Sequence, residues 1–149
     1  MADTFPPEPL PTIRWVMGGQ FVELVDDGTY DAQDVQLNAG FATPLHRHSR
    51  YAEHLYVVAG AFQLRLGDDH RALGPGESVT IPVGTPHSLA VGEGGAHALI
   101  VSRPAGFANV IRASGAATAD NFDIGDFVRA AIDAGDEILA PPPGAAVRA

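Results

Sequence analysis

The chain contains no cysteine in its 149 residues, which excludes disulfides and any thiolate metal site and removes every signal of redox compartment. It contains no lysine either, so arginine alone faces eighteen acidic residues, for a formal net charge of −9. A balance of that sign lacks the basic patches that a phosphate backbone requires, so nucleic acid is not expected as a partner, and neither is an anionic membrane surface. No apolar run approaches the ~20 residues of a membrane span. The start, Met1-Ala-Asp-Thr-Phe-Pro-Pro-Glu8, has neither a basic n-region nor an apolar h-region, so it does not read as a secretory signal. The expectation is a soluble cytoplasmic protein. No internal repeat occurs, and 46% apolar residues in this length suit one globular domain.

What the chain does have is histidine in a telling arrangement. In Gly40-Phe-Ala-Thr-Pro-Leu-His46-Arg-His48-Ser-Arg-Tyr-Ala-Glu53, two imidazoles stand two residues apart and a carboxylate follows. Residues i and i+2 of a strand share a face, so His46 and His48 can aim at one point. After the Ser49–Ala52 break, Glu53 can return on the neighbouring strand and offer its carboxylate to the same point. The stretch Gly76-Glu-Ser-Val-Thr-Ile-Pro82-Val-Gly84-Thr-Pro-His87 adds a strand, a Pro/Gly turn and a third imidazole. Three imidazoles and one carboxylate form a borderline donor set, suited to iron, nickel, copper, manganese or zinc rather than calcium or magnesium. The other histidines read differently. His54 follows Glu53 directly, so alternation sends it to the opposite face; His70 falls in the Gly67-Asp-Asp-His turn; His97 opens a late strand whose face is open. Arg47, between the two ligand histidines, should point away from the metal.

Around these segments run short β-type stretches separated by turn residues: Ile13 to Met17, Gln20 to Val25, Ala32 to Asn38, Glu53 to Val58, Ala61 to Leu66, Ser78 to Ile81, His87 to Val91 and Ala96 to Ser102. Gly92-Glu-Gly-Gly95 reads as a hairpin turn between the last two. Phe62, Leu64 and Leu66 share one face of their strand. Such spacing predicts an all-β sandwich or barrel. Beyond Arg103, Gly106 to Ala113 predicts a short helix. Thr118 to Ile138 predicts a longer one, with Thr118 as N-cap and an apolar stripe that includes Phe122, Phe127, Ala131 and Ile138.

The two histidine segments resemble the two motifs of the cupin superfamily. Gly40, His46, His48, Glu53 and Gly60 fall on G-x5-H-x-H-x4-E-x6-G, and Gly76, Pro82, Gly84 and His87 fall on G-x5-P-x-G-x2-H. The family pattern then has Asn, where this chain has Val91; that Asn is not a metal ligand, so the departure removes only a local hydrogen bond. The resemblance implies a single-domain cupin jelly-roll β-barrel with a C-terminal helical segment. The expected organisation is an extended proline-rich arm at 1–11, the barrel at 12–103, the helical segment at 104–140 and a loose tail at 141–149. The resemblance also implies one divalent transition metal per chain, iron first and nickel, manganese, copper or zinc as alternatives. Its ligands would be His46, His48, Glu53 and His87.

Within the superfamily, the compact spacing of 15 residues between Gly60 and Gly76, with Ser102-Arg-Pro-Ala-Gly-Phe107 after the last strand, resembles small bacterial quercetin dioxygenase-like monocupins. That resemblance implies O2-dependent cleavage of a small enol- or phenol-bearing molecule, with one or two open metal positions and Glu53 as ligand and general base. Phe62, Leu64, Leu66 and Phe107 would line the substrate pocket. A non-oxidative cyclase, isomerase or lyase, or a ligand-binding or sensor cupin without turnover, would use the same four ligands. Small cupins commonly pair sheet against sheet. With Tyr56 and Val58 on the face opposite the metal, a homodimer is the expected assembly.

Overall fold

Period-2 alternation and turn residues cut the chain into strands, and the computed structural model, which describes residues 12–141, curls them into one continuous sheet. The strands are β1 (Ile13–Val16), β2 (Gly19–Asp26), β3 (Asp31–Leu37), β4 (Leu45–His48), β5 (Ala52–Leu66), β6 (Asp69–Leu73), β7 (Ser78–Ile81) and β8 (His87–Arg103). Then follow α1 (Phe107–Ser114), a 3-10 turn (Ala119–Asn121), α2 (Ile124–Asp133) and β9 (Asp136–Ala140). The expected arm at 1–11 and the tail beyond Pro141 lie outside the described residues.

The spine is the antiparallel pair β5–β8, in register from Ala52↔Arg103 to Leu66↔His87. The first half of β5 also pairs with β7 and the second half with β6. The late half of β8 carries β3, β2 and β1 outward, whereas its first residue, His87, pairs with His46 of β4, which in turn pairs with β9. The two long strands therefore contribute to opposite walls, and the sheet curls into a half-barrel of the expected jelly-roll type. Inward residues such as Phe21, Val35, Leu55, Val57, Phe62 and Leu64 form its core, each under 5% exposed.

The spine is long because its glycines bend it without ending it. In β5 the inward residues are Glu53, Leu55 and Val57; register shifts around Ala59–Ala61 change the phase, so Phe62 and Leu64 turn inward beyond them. Gly60 makes this possible. Its φ is +79°, and a Cβ there would lie 2.2 Å from the Gly95 carbonyl oxygen. Opposite it, Gly92–Gly95 does not form the hairpin turn expected from sequence. Ala96 pairs with Gly60 and Val91 with Phe62, so the four residues bulge out of one continuous strand whose direction does not reverse. His70 likewise sits in β6, opposite Arg65, rather than in the turn before it.

The C-terminal segment corrects the expected helix over Thr118–Ile138. Thr118 makes no side-chain cap. The cap is Asp123, whose Oδ1 accepts from the N–H groups of Gly125 at 2.7 Å and Asp126 at 3.2 Å. The helix stops at Gly135, φ +90°, where a Cβ would meet Ser49 Oγ at 2.6 Å. The chain then extends as β9, so Ile138 belongs to a strand registered with His46. Of the apolar stripe, Phe127 and Ala131 are helical, and Phe122 and Ile138 lie outside α2.

Candidate metal centre

β4 delivers His46 and His48 to one face, and the direct pairing His46↔His87 across β4 and β8 brings in the third imidazole. Ring nitrogens of the three histidines all lie within 4.8 Å of one another. Glu53 reaches the same point from β5: its Oε1 is 3.2 Å from His48 Nε2 and its Oε2 3.8 Å from His87 Nε2. The turn that carries Pro82 and Gly84 is tied to β4, because the Gly84 N–H donates to the His48 carbonyl at 2.7 Å.

Each ring is oriented through its Nδ1–H. His46 donates to the Pro44 carbonyl at 2.7 Å, His87 to the Thr85 carbonyl at 2.9 Å, and His48 to Asp136 Oδ1 at 2.6 Å. That leaves the Nε2 atoms for the shared point. Those of His48 and His87 are buried and have no hydrogen-bond partner, although Glu53 lies beside them. A buried polar nitrogen without a partner costs free energy, and coordination to a metal removes that cost. Three imidazoles with fixed tautomers and a neighbouring carboxylate fit a divalent transition metal.

Sequence reasoning missed Asp136, whose carboxylate touches His48, and Tyr51, whose ring stacks on the His48 imidazole at 4.5 Å and 23°. The remaining histidines are placed apart from the cluster. His54 is exposed, with its Nδ1 2.8 Å from Thr80 Oγ1; His97 Nε2 is 2.9 Å from Asp34 Oδ1; His70 is exposed. Arg47 points outward to Glu137 at 2.6 Å.

Before any metal binds, the cluster polarises itself. Burial penalises a charged His48, but Glu53 and Asp136 outweigh it and raise the ring to about 10. Burial raises Glu53, and the positive charge of His48 overcomes this and holds it at about 2. Burial dominates at His87, lowering it to about 4 against the attraction of Glu53, and lowers His46 as well.

These shifts set the pH dependence of the metal-free fold. His87 is neutral in the folded protein down to about 4, whereas the unfolded imidazole takes up its proton near about 6.5, so stability falls as pH drops through that window. Glu53 adds to the loss below the unfolded carboxylate value. His48 contributes oppositely: its stabilisation is complete below the unfolded value and is lost as pH rises toward about 10. Chelator-treated protein should therefore be most stable near about pH 6.5, with Tm falling by roughly 5–10 °C toward pH 4. Thermal unfolding across pH checks this; a Tm that rises on acidification from 6.5 would contradict it.

The cluster opens onto a cavity of about 60 Å³. Phe62 and Phe107, expected in the pocket, line it together with Phe21, Leu37, Phe41 and Phe127. Leu64 and Leu66 do not: Leu64 is buried in the core, and Leu66 packs at the core's edge. The C-terminal segment supplies part of the wall through Phe127, Ala131, Asp136 and Ile138. Phe107 is held by the start of α1, where Asp31 Oδ2 accepts the N–H groups of Gly106 at 2.8 Å and Ala108 at 3.0 Å.

The fold and the donor set together resemble those of a cupin: a curled sheet carrying three clustered histidines that could hold a metal ion. Residues 33–102, from β3 to the end of β8, match the family model described as "Cupin domain" and contain all four expected ligands. KdgF from Halomonas sp. is similar at 28% identity and a TM-score of 0.56, over 58% of this chain and 79% of that one. Oxalate decarboxylase from Bacillus subtilis is similar at 26% identity and a TM-score of 0.57, over 63% of this chain and 27% of that one. Mannose-1-phosphate guanylyltransferase of Escherichia coli (strain K12) is 30% identical over 71 residues, so the chain matches 15% of the length of that curated relative. Among the described residues, no helix is long and apolar enough to cross a membrane.

Proposed function

We propose that the protein is a metal-dependent cupin dioxygenase acting on a small enol- or phenol-bearing molecule. The observation that carries the reading is the pair of partnerless Nε2 atoms, beside an ionised carboxylate, at the end of an apolar cavity. His46, His48, His87 and Glu53 would hold the metal, with iron the first choice on this reading. A bound metal ion of this kind would supply Lewis acidity to a substrate oxygen and a centre at which O2 reacts.

The chain's own residues do the rest. Glu53, beside His48 and His87, is the carboxylate placed to accept the proton of the enol or phenol oxygen. The aromatic wall excludes water and favours a neutral, planar substrate. Both atoms of O2 would end in the two cleavage products. Size narrows the substrate: about 60 Å³ corresponds to a few waters, so a small enediol or hydroxy-ketone suits the cavity and a flavonol does not enter it as it stands.

A second reading, a non-oxidative lyase or isomerase on the same ligands, draws on the likeness to oxalate decarboxylase. The cavity wall contains no arginine, so a small dianion would have the metal as its sole counter-charge; this favours the neutral-substrate reading. Elemental analysis of purified protein alongside oxygen uptake with a panel of small enediols and flavonols tests the proposal. Uptake with an enediol supports it, and turnover without oxygen consumption overturns it.

The same reading includes a homodimer. On the outer face of β5, Tyr56 and Val58 are each 40% exposed, and Leu99 and Val101 of β8 lie half-buried beside Tyr56 and His54. Burying such a face favours a second copy. Sedimentation at micromolar concentration should give the mass of two chains; the mass of one chain would count against it.

A further inference from the structure

We infer that Asp136 is a positioning residue of the metal centre, which ties metal binding to docking of the C-terminal segment α2–β9. The inference rests on the metal-binding reading of the histidine cluster. His46 and His87 each donate Nδ1–H to a backbone carbonyl two residues earlier, so their orientation is a property of their own loops. His48 is different. Its partner is a carboxylate 88 residues later in the chain, beyond the span that matches the cupin domain.

The geometry is that of a built contact. Asp136 stands directly opposite His48 in the β4–β9 register. Its side chain is 5% exposed, its Oδ1 is 2.6 Å from His48 Nδ1, and the Tyr51 hydroxyl lies 3.5 Å from the same oxygen. Tyr51 stacks on the imidazole, so the ring is fixed edge-on by the carboxylate and face-on by the aromatic. A carboxylate on Nδ1–H holds the proton there, presents Nε2 to the metal and makes that nitrogen a better donor.

Besides the β4–β9 pairing, side-chain bonds hold β9 and the turn before it. Ser49 Oγ donates to the Gly135 carbonyl at 2.6 Å, Arg50 Nη1 to the Asp133 carbonyl at 3.0 Å, and Arg47 pairs with Glu137 on the surface. The Asp136–His48 bond is the buried member of that set. Coupling is reciprocal: if docked β9 improves the ligand, the bound metal must hold β9 in place. Phe127, Ala131 and Ile138 ride on this segment, so metal occupancy also sets one wall of the cavity.

Zinc is the probe, because it is diamagnetic and binds the same donors. In the full chain, Asp136→Asn should lower zinc affinity by about 10–100-fold in competition with a chromogenic chelator. His54→Ala should leave it unchanged. Zinc-loaded wild type should show a low-field, exchange-protected His48 Nδ1–H proton resonance that D136N loses. Zinc should also slow amide exchange in β9 of wild type more than in D136N. A purely structural Asp136 would alter thermal stability without moving the His48 resonance. Wild-type affinity retained in folded D136N overturns this inference alone; a wild type that binds no zinc overturns the metal reading and this inference together. If D136N does not fold, the wild-type spectrum decides, and absence of the low-field resonance overturns the proposal.

Discussion

Replacing His87 by alanine should strip the metal from the purified protein, while His54→Ala should leave its metal content near wild type. The two histidines differ in nothing that composition reveals, and everything follows from their place in the sheet. His87 is 1% exposed, faces His46 across the β4–β8 pairing and has a partnerless Nε2. His54 follows Glu53 in sequence, but the pleat turns it outward to Thr80. Loss of a direct ligand should exceed the ~10–100-fold drop in affinity caused by loss of an outer partner. The apo fold should tolerate the change, because His87 enters it neutral and without a Nε2 hydrogen bond. Metal content measured on both variants decides the matter: a stripped His54→Ala and a loaded His87→Ala would show that the ligand assignment is wrong.

The three clustered histidines and Glu53 could be read from the chain because each obeys a local rule. His46 and His48 need only strand periodicity, Glu53 a short break and a return, and His87 a Pro/Gly turn. The strands were legible for the same reason, including Ser78–Ile81 to the residue. What was hidden depends on pairing over long distances. Asp136 looks like a solvated acid at the end of an amphipathic helix, and becomes a partner of His48 only because Gly135 ends that helix and β9 joins β4. One cue was present: a glycine follows the last helical turn. The stripe through Ala131 and Ile138 fits helical spacing equally well, and tertiary contact makes the choice. Gly92–Gly95 shows the same limit. Four turn-forming residues mark a departure from regular strand, and whether the chain reverses or merely bulges is decided by β5 alongside.

The pocket was legible in part because sequence gives a face and not a depth. Phe62, Leu64 and Leu66 alternate correctly on β5, yet only Phe62 borders the cavity. The register places Leu64 opposite Leu89 and Leu66 opposite His87, further along the wall, where the inward direction leads into packed core or its edge. The residues that shape the cavity with Phe62 come from β2, the β3–β4 connection, α1 and α2, as Phe21, Phe41, Phe107 and Phe127. Aromatic side chains converge there from segments far apart in the chain, so no single stretch announces the pocket. The chemistry is local and legible; the specificity is assembled.

Glu53→Gln should separate the two roles proposed for that residue. Glutamine is nearly isosteric and keeps an oxygen donor beside His48 and His87, so metal content should fall less than in His87→Ala. It cannot accept a proton in the neutral range, whereas a carboxylate can. Turnover of a small enol or phenol substrate should therefore fall ~10²-fold or more, the usual consequence of losing a general base. Substrate affinity should change little, because the apolar wall that binds the ring is untouched. Steady-state oxygen uptake and equilibrium substrate binding, both on metal-loaded protein, give the two numbers. Full turnover by the variant would remove Glu53 as the base. Product formed under strict anaerobic conditions would reach further, because a dioxygenase has no second route to its products. The same ligands would then belong to a lyase or isomerase, in which Glu53 moves a proton between carbon and oxygen and no oxidant is consumed.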